Sequence, residues 1–81
     1  MIRTNNKNIN YFLNYVKEDI GDYGVKLYLP KHTYLLDEGI KVNGYFCEED
    51  LVLAVATKKQ RKKWLGTLAH EYSHFEQWRD Q

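Results

Sequence analysis

The sequence predicts a single α+β domain over residues 1–81, with an N-terminal helix, a small antiparallel sheet of about three strands and a C-terminal helix. Three observations predict it. Ile9, Phe12, Leu13, Val16 and Ile20 recur at helical i, i+3, i+4 spacing. Residues 25–56 hold short β-rich runs divided by turn signals. Trp64, Leu65, Leu68, Tyr72 and Phe75 then return to helical spacing. A chain of 81 residues has room for one core and buries a modest share of its surface, so a metal or a partner chain would add to its stability.

The first helix is amphipathic, its other face filled by asparagines and lysines, and it should stop near Asp19 or Ile20, with Gly21 placed for a left-handed C-terminal residue. Val25 to Leu29 alternate with period two until Pro30, which cannot donate to a strand ladder and closes the run. The stretch from Lys31 to Gly39 reads equally as strand, helical turn or packed loop, ending at the turn signal Asp37-Glu38-Gly39. Ile40 to Phe46 and Leu51 to Ala56, joined by the polar Cys47-Glu48-Glu49-Asp50, predict an antiparallel hairpin. Thr57 and Gln60 stand three apart as in a capping box, which predicts a helix from Lys58 to near the C-terminus.

Composition excludes several function classes. No stretch approaches the roughly 20 apolar residues that cross a bilayer, and a formal net charge of +1 gives no global reason to expect nucleic acid or a membrane as partner. The basic block Lys58, Lys59, Arg61, Lys62 and Lys63 spreads around the helix at about 100° steps and reads as a solvated helix start. The single cysteine, Cys47, excludes an internal disulfide and reads as a small apolar residue at a strand end. With no apolar run behind a basic N-terminal segment, the expected compartment is the cytoplasm.

The chemistry gathers in the last helix, at His70-Glu71-Tyr72-Ser73-His74. Residues four apart lie about 40° apart and one turn displaced, so both imidazoles can hold one ion. On that projection, with Trp64 at zero, the core stripe lies near 20 to 100°, the histidines near about 240 and 280°, and Glu71 near about 340°. The histidines thus have a face of their own, and Glu71 can reach a water beside the ion instead of the ion itself. Zinc suits this donor set: two neutral imidazoles and one further ligand leave an open position where water is activated. Trp78, near about 320°, lies beside the same face and could line a substrate cleft or pack on a partner chain.

The segment Trp64-Leu65-Gly66-Thr67-Leu68-Ala69-His70-Glu71-Tyr72-Ser73-His74 resembles the active-site helix of the zincin metallopeptidases. The preceding Gly44-Tyr45-Phe46 and Leu51 to Ala56 are similar to the strands leading into that helix in small peptidases encoded by phages and mobile elements. The resemblance covers about the last half of the chain. It implies a minimal zincin-like fold, zinc as cofactor, His70 and His74 as its ligands, Glu71 as catalytic base, and a peptide or protein as substrate. The chain departs from the pattern after His74. Metzincins place glycine three residues on and a third ligand three beyond that; here those places hold Gln77 and Asp80. Asp80 is a third ligand in that register, but a helix continuing without the glycine turns it to about 160°, away from the pair. Gluzincins take a glutamate from a later helix, and this sequence ends at Gln81. The remaining sources are Glu48, Glu49, His32, Cys47 or a neighbouring copy in a homo-oligomer, or the chain is a C-terminally truncated domain. The competing reading is a non-catalytic metal-binding or protein or nucleic-acid interaction module with a vestigial or incomplete site.

Overall fold

The computed structural model describes residues 5–81, with side chains from residue 8 onward. The first periodic segment forms helix α1 (Asn5–Gly21), which buries Val16 and Ile20 completely and leaves Tyr11 and Tyr15 exposed. The N–H groups of Tyr23 and Val25 both donate to the Ile20 carbonyl, at 3.0 and 3.1 Å, and close the helix. The left-handed residue of this ending is Gly24, with φ +80°, and not Gly21. The chain makes an extra turn through Asp22 and Tyr23 before reversing, so the permissive residue is needed three positions later.

Five strands follow, β1 (Lys26–Tyr28), β2 (Leu35–Asp37), β3 (Ile40–Val42), β4 (Gly44–Cys47) and β5 (Val52–Val55), and the described chain closes with helix α2 (Arg61–Arg79). The α+β class and the two terminal helices agree with the sequence reading. The sheet departs from it. A three-stranded sheet has the order β1-β5-β4, with β1 parallel to β5 and β4 antiparallel to it, while β2 and β3 pair only with each other. The expected antiparallel sheet of about three strands is therefore a mixed sheet with an added hairpin. Parallel pairing is open to β1 and β5 because the hairpin and β4 lie between them, giving the chain length to return in the same direction.

The ambiguous stretch before Gly39 contains β2, and the run from Ile40 to Phe46, expected as one strand, divides at Asn43. Glu38 and Gly39 both have positive φ, 54° and 84°, forming a two-residue turn whose twist suits a tight hairpin. Ile40–Val42 consequently folds back on β2. The Asn43 carbonyl then accepts the Ala56 N–H at 2.9 Å, which brings the chain beside β5.

Along β5 the side chains alternate between two faces. Leu53 and Val55 join Val16, Ile20, Val25, Leu68 and Phe75 in the main core, while Ala54 and Ala56 pack under Leu35 in a smaller cluster on the other face. Helix α2 lies against β4 and β5, and α1 against β1. The hairpin covers the second face of the sheet through Leu35 and Val42. No helix among the described residues is long and apolar enough to cross a membrane.

Gly44 sets how closely α2 approaches β4. A Cβ there would stand 2.8 Å from the Ala54 carbonyl oxygen and 2.9 Å from the Thr67 methyl group. The first of these is backbone in the central strand and cannot yield cheaply. Gly44→Ala is expected to cost about 1–3 kcal/mol in urea unfolding, as an overpacked core site does.

The expected capping box does not form. Helix α2 begins at Arg61, with Gln60 as N-cap and no side-chain hydrogen bond there. The Thr57 hydroxyl instead donates to the Pro30 carbonyl at 2.9 Å, and the Thr57 N–H donates to the same oxygen at 3.0 Å. A tertiary acceptor has displaced the local one, and it ties the entrance of α2 to the end of β1.

At its other end α2 is latched to α1. The Tyr72 hydroxyl donates to Asp19 Oδ2 at 2.5 Å, and Arg79 Nη1 donates to the same oxygen at 3.2 Å. Burial, followed by this hydrogen bond, raises the Tyr72 phenol well above its ordinary value of 10.0. A folded-state pKa above the unfolded one means that the contribution is complete below about pH 10 and is lost as pH rises further. Stability should therefore fall more steeply above about pH 10 in the native chain than in Tyr72→Phe, as measured by urea titrations across that range.

Candidate metal centre

The unbroken helix between Leu68 and Phe75 positions the histidines. Leu68 and Phe75 are fully buried, and that anchoring turns His70 and His74 outward, where both are exposed. Their rings meet edge to face, with centroids 4.7 Å apart and planes at 84°. The two Nε2 atoms are 3.2 Å apart. That spacing is a hydrogen-bonding distance, and it is also close to the separation, about 3.3–3.4 Å, of two nitrogens bound to one tetrahedral zinc at about 2.0–2.1 Å.

Glu71 occupies the border between the core and this face. It is only 9% exposed and is the one buried charged residue among those described. Its carboxylate has neither a hydrogen bond nor an ion pair, yet no buried side-chain oxygen is sealed off without a partner. The oxygens therefore open into the cleft that Glu71 lines with His74. A carboxylate held this way has no protein partner among the described residues, which leaves it available to accept a proton from whatever enters the cleft. One ligand atom from each of His70, Glu71 and His74 lies within 4.8 Å of the other two.

The cleft, of about 410 Å³, runs between α2 and β4. Its strand side carries Gly44, Tyr45, Phe46 and, just beyond the strand, Glu48; its helix side carries Gln77 and Trp78 beyond His74. Strand β4 pairs with β5 alone, so its second edge is open among the described residues. Trp78 does line the cleft, and its ring packs on Phe46 at 5.5 Å.

The candidates for a third ligand are dispersed. Helix α2 continues to Arg79, which leaves Asp80 as the C-cap, about 120° around the axis from His74. Its carboxylate accepts from Arg79 Nε at 3.1 Å. Cys47 is half-buried, with Sγ donating to Asp50 Oδ2 at 3.6 Å, and His32 is an exposed loop residue whose carbonyl accepts the Lys58 N–H. Neither these nor Glu49 joins the converging group, and Glu48 reaches the cleft without joining it. The sequence leads one to expect the exposed edge strand of the hairpin beside the helix, but not which of its residues wall the cleft. The signal for that wall was Gly44, since a glycine inside a β-rich run marks a close approach of another element.

Compared with family models, curated proteins and solved structures, the chain matches none, and the chemistry of the centre is argued from its own residues.

Proposed function

We propose that this chain is a zinc-dependent, zincin-like metallopeptidase domain that hydrolyses peptide bonds, with His70 and His74 holding the ion and Glu71 acting as general base. The observation that carries this reading is the partner-free, nine-tenths buried Glu71 carboxylate opening into a cleft beside two imidazoles spaced for a single ion. When bound, zinc supplies a Lewis acid that polarises the scissile carbonyl and makes water a nucleophile near neutral pH. Glu71 takes the proton from the attacking water and later returns it to the leaving nitrogen. The open edge of β4 holds the substrate backbone by strand addition, placing an extended peptide alongside α2. A third ligand from a neighbouring copy or segment completes the ion's protein shell.

The test is metal content. The purified chain should carry about one zinc, and His70→Ala should lose it, since one imidazole cannot hold what two share. A wild-type chain that takes up no metal when zinc is supplied would sink the proposal. The competing reading, a non-catalytic metal-binding or interaction module, draws support from the converging group, which among the described residues holds two imidazoles and one carboxylate and no further ligand.

A further inference from the structure

We propose that the cleft beside Glu71 selects peptides carrying a lysine or arginine, whose side chain lies on Phe46 and Trp78 with its charged head at Glu48. This rests on the peptidase reading above and names its substrate class.

The charges lining the cleft are the carboxylates of Glu48 and Glu71, together with the titratable His74; no lysine or arginine lines it. The basic block of the chain lies at the opposite end of α2, around Lys58 to Lys63, too far away to neutralise Glu48. Glu48 is exposed and has no hydrogen bond or ion pair, so its charge is uncommitted. Glu71, buried and equally partner-free, opens into the same space. A concave surface with carboxylates of one sign and apolar walls concentrates cations.

The walls add the second half of the recognition. Phe46 and Trp78 meet at 5.5 Å with planes inclined at 56°, forming an aromatic corner on the way to Glu48. A long alkyl stem can lie along such rings while its ammonium or guanidinium interacts with a ring face and reaches the carboxylate beyond. An acidic or a short side chain gains neither contact.

The register along β4 places this subsite. A Cβ on Gly44 would meet Thr67, one turn before Glu71, while Phe46 packs on Phe75 and Trp78. Gly44 and Phe46 thus face the helix side of β4, and Glu48, in the turn just beyond the strand, lines the same cleft. A peptide with its scissile bond beside Glu71 and His74 would set a side chain further along the same cleft, towards Glu48. An ion at the histidine pair would offset part of this negative charge, so the preference is read both with zinc and with chelator.

The experiment uses the full chain and fluorescein-labelled peptides identical except for a central Lys, Arg, Leu or Glu. Binding is followed by anisotropy with zinc and with chelator, at two salt concentrations, and cleavage by the zinc-loaded chain is measured in parallel. The Lys and Arg peptides should bind about three- to tenfold more tightly than Leu and more tightly still than Glu, the preference shrinking with salt. Glu48→Gln should remove it, and Glu48→Lys should reverse it. Equal binding of all four peptides, no binding of any, or a preference untouched in Glu48→Gln would overturn the subsite. The preference without cleavage of any peptide would uphold the subsite and count against the peptidase reading; cleavage without discrimination would do the reverse.

Discussion

Glu71→Gln is expected to lower peptide hydrolysis by about 10²–10⁴-fold, the range a general base contributes, while the chain keeps its zinc. The amide has the shape of the carboxylate, so neither the helix nor the two imidazoles need move. It cannot take a proton from water. The same substitution tests the residue from the other side, through stability. Glu71 is buried along its stem, while its carboxylate opens into the cleft with no hydrogen bond or ion pair for the fold to lose. Glu71→Gln should therefore unfold at about the same urea concentration as the native chain, since it removes no protein contact and keeps the shape of the side chain. If Glu71 served only the fold, stability would fall and any hydrolysis would survive. A non-catalytic metal module predicts no change in activity at all.

Phe75→Ala is expected to cost about 3–5 kcal/mol, which is most or all of the stability a chain of this size has. Phe75 is fully buried and meets four aromatic neighbours: edge to face with Tyr23 at 5.5 Å and with Phe46 at 5.9 Å, stacked on Tyr72 at 5.9 Å, and tilted against Trp78 at 6.0 Å. Truncation would empty the space where α2, β4 and the end of α1 converge, and the rigid strands cannot collapse to fill it. Phe75 is also the residue after His74, so its loss reaches the candidate metal centre. Zinc that binds only the folded chain would return about 2.7 kcal/mol at a hundredfold excess over its Kd. Phe75→Ala should then lose its cooperative urea transition in chelator and regain part of it with zinc. A transition unaffected by zinc would separate the centre from the core and contradict this coupling.

Much of the fold class and the pairing of the two histidines was legible because both depend on neighbours close in sequence. The 3.6-residue repeats of Val16 and Ile20 in α1 and of Leu68 and Phe75 in α2 are each a property of a single helix, and these side chains are fully buried as the repeats imply. The spacing of His70 and His74 likewise follows from helical geometry alone, and their nitrogens lie 3.2 Å apart. The placement of Glu71 between the two faces came from the same projection.

What the sequence could not display were competitions between distant partners. Thr57 has a plausible local role as a cap, yet its hydroxyl finds the Pro30 carbonyl, a choice visible only once β1 stands beside the entrance of α2. Ile40 to Phe46 has strand propensity throughout, but propensity does not say which strand it pairs with; the left-handed Glu38 and Gly39 turn the first part onto β2, and the Asn43 carbonyl directs the second part to β5. The parallel pairing of β1 with β5 joins residues about 26 positions apart, from Lys26 opposite Val52 to Tyr28 opposite Ala54, and no local pattern encodes that direction.

The sequence by itself determined the α+β class, the amphipathic faces and the His70, Glu71, His74 constellation, because each is set by repeat geometry within one element. Only the tertiary structure decided the mixed sheet, the cleft wall of Gly44, Phe46 and Glu48, and the burial of Glu71 without a partner. Strand pairing, close approach and desolvation arise from contacts between elements, and their free energies exist only after those elements have come together.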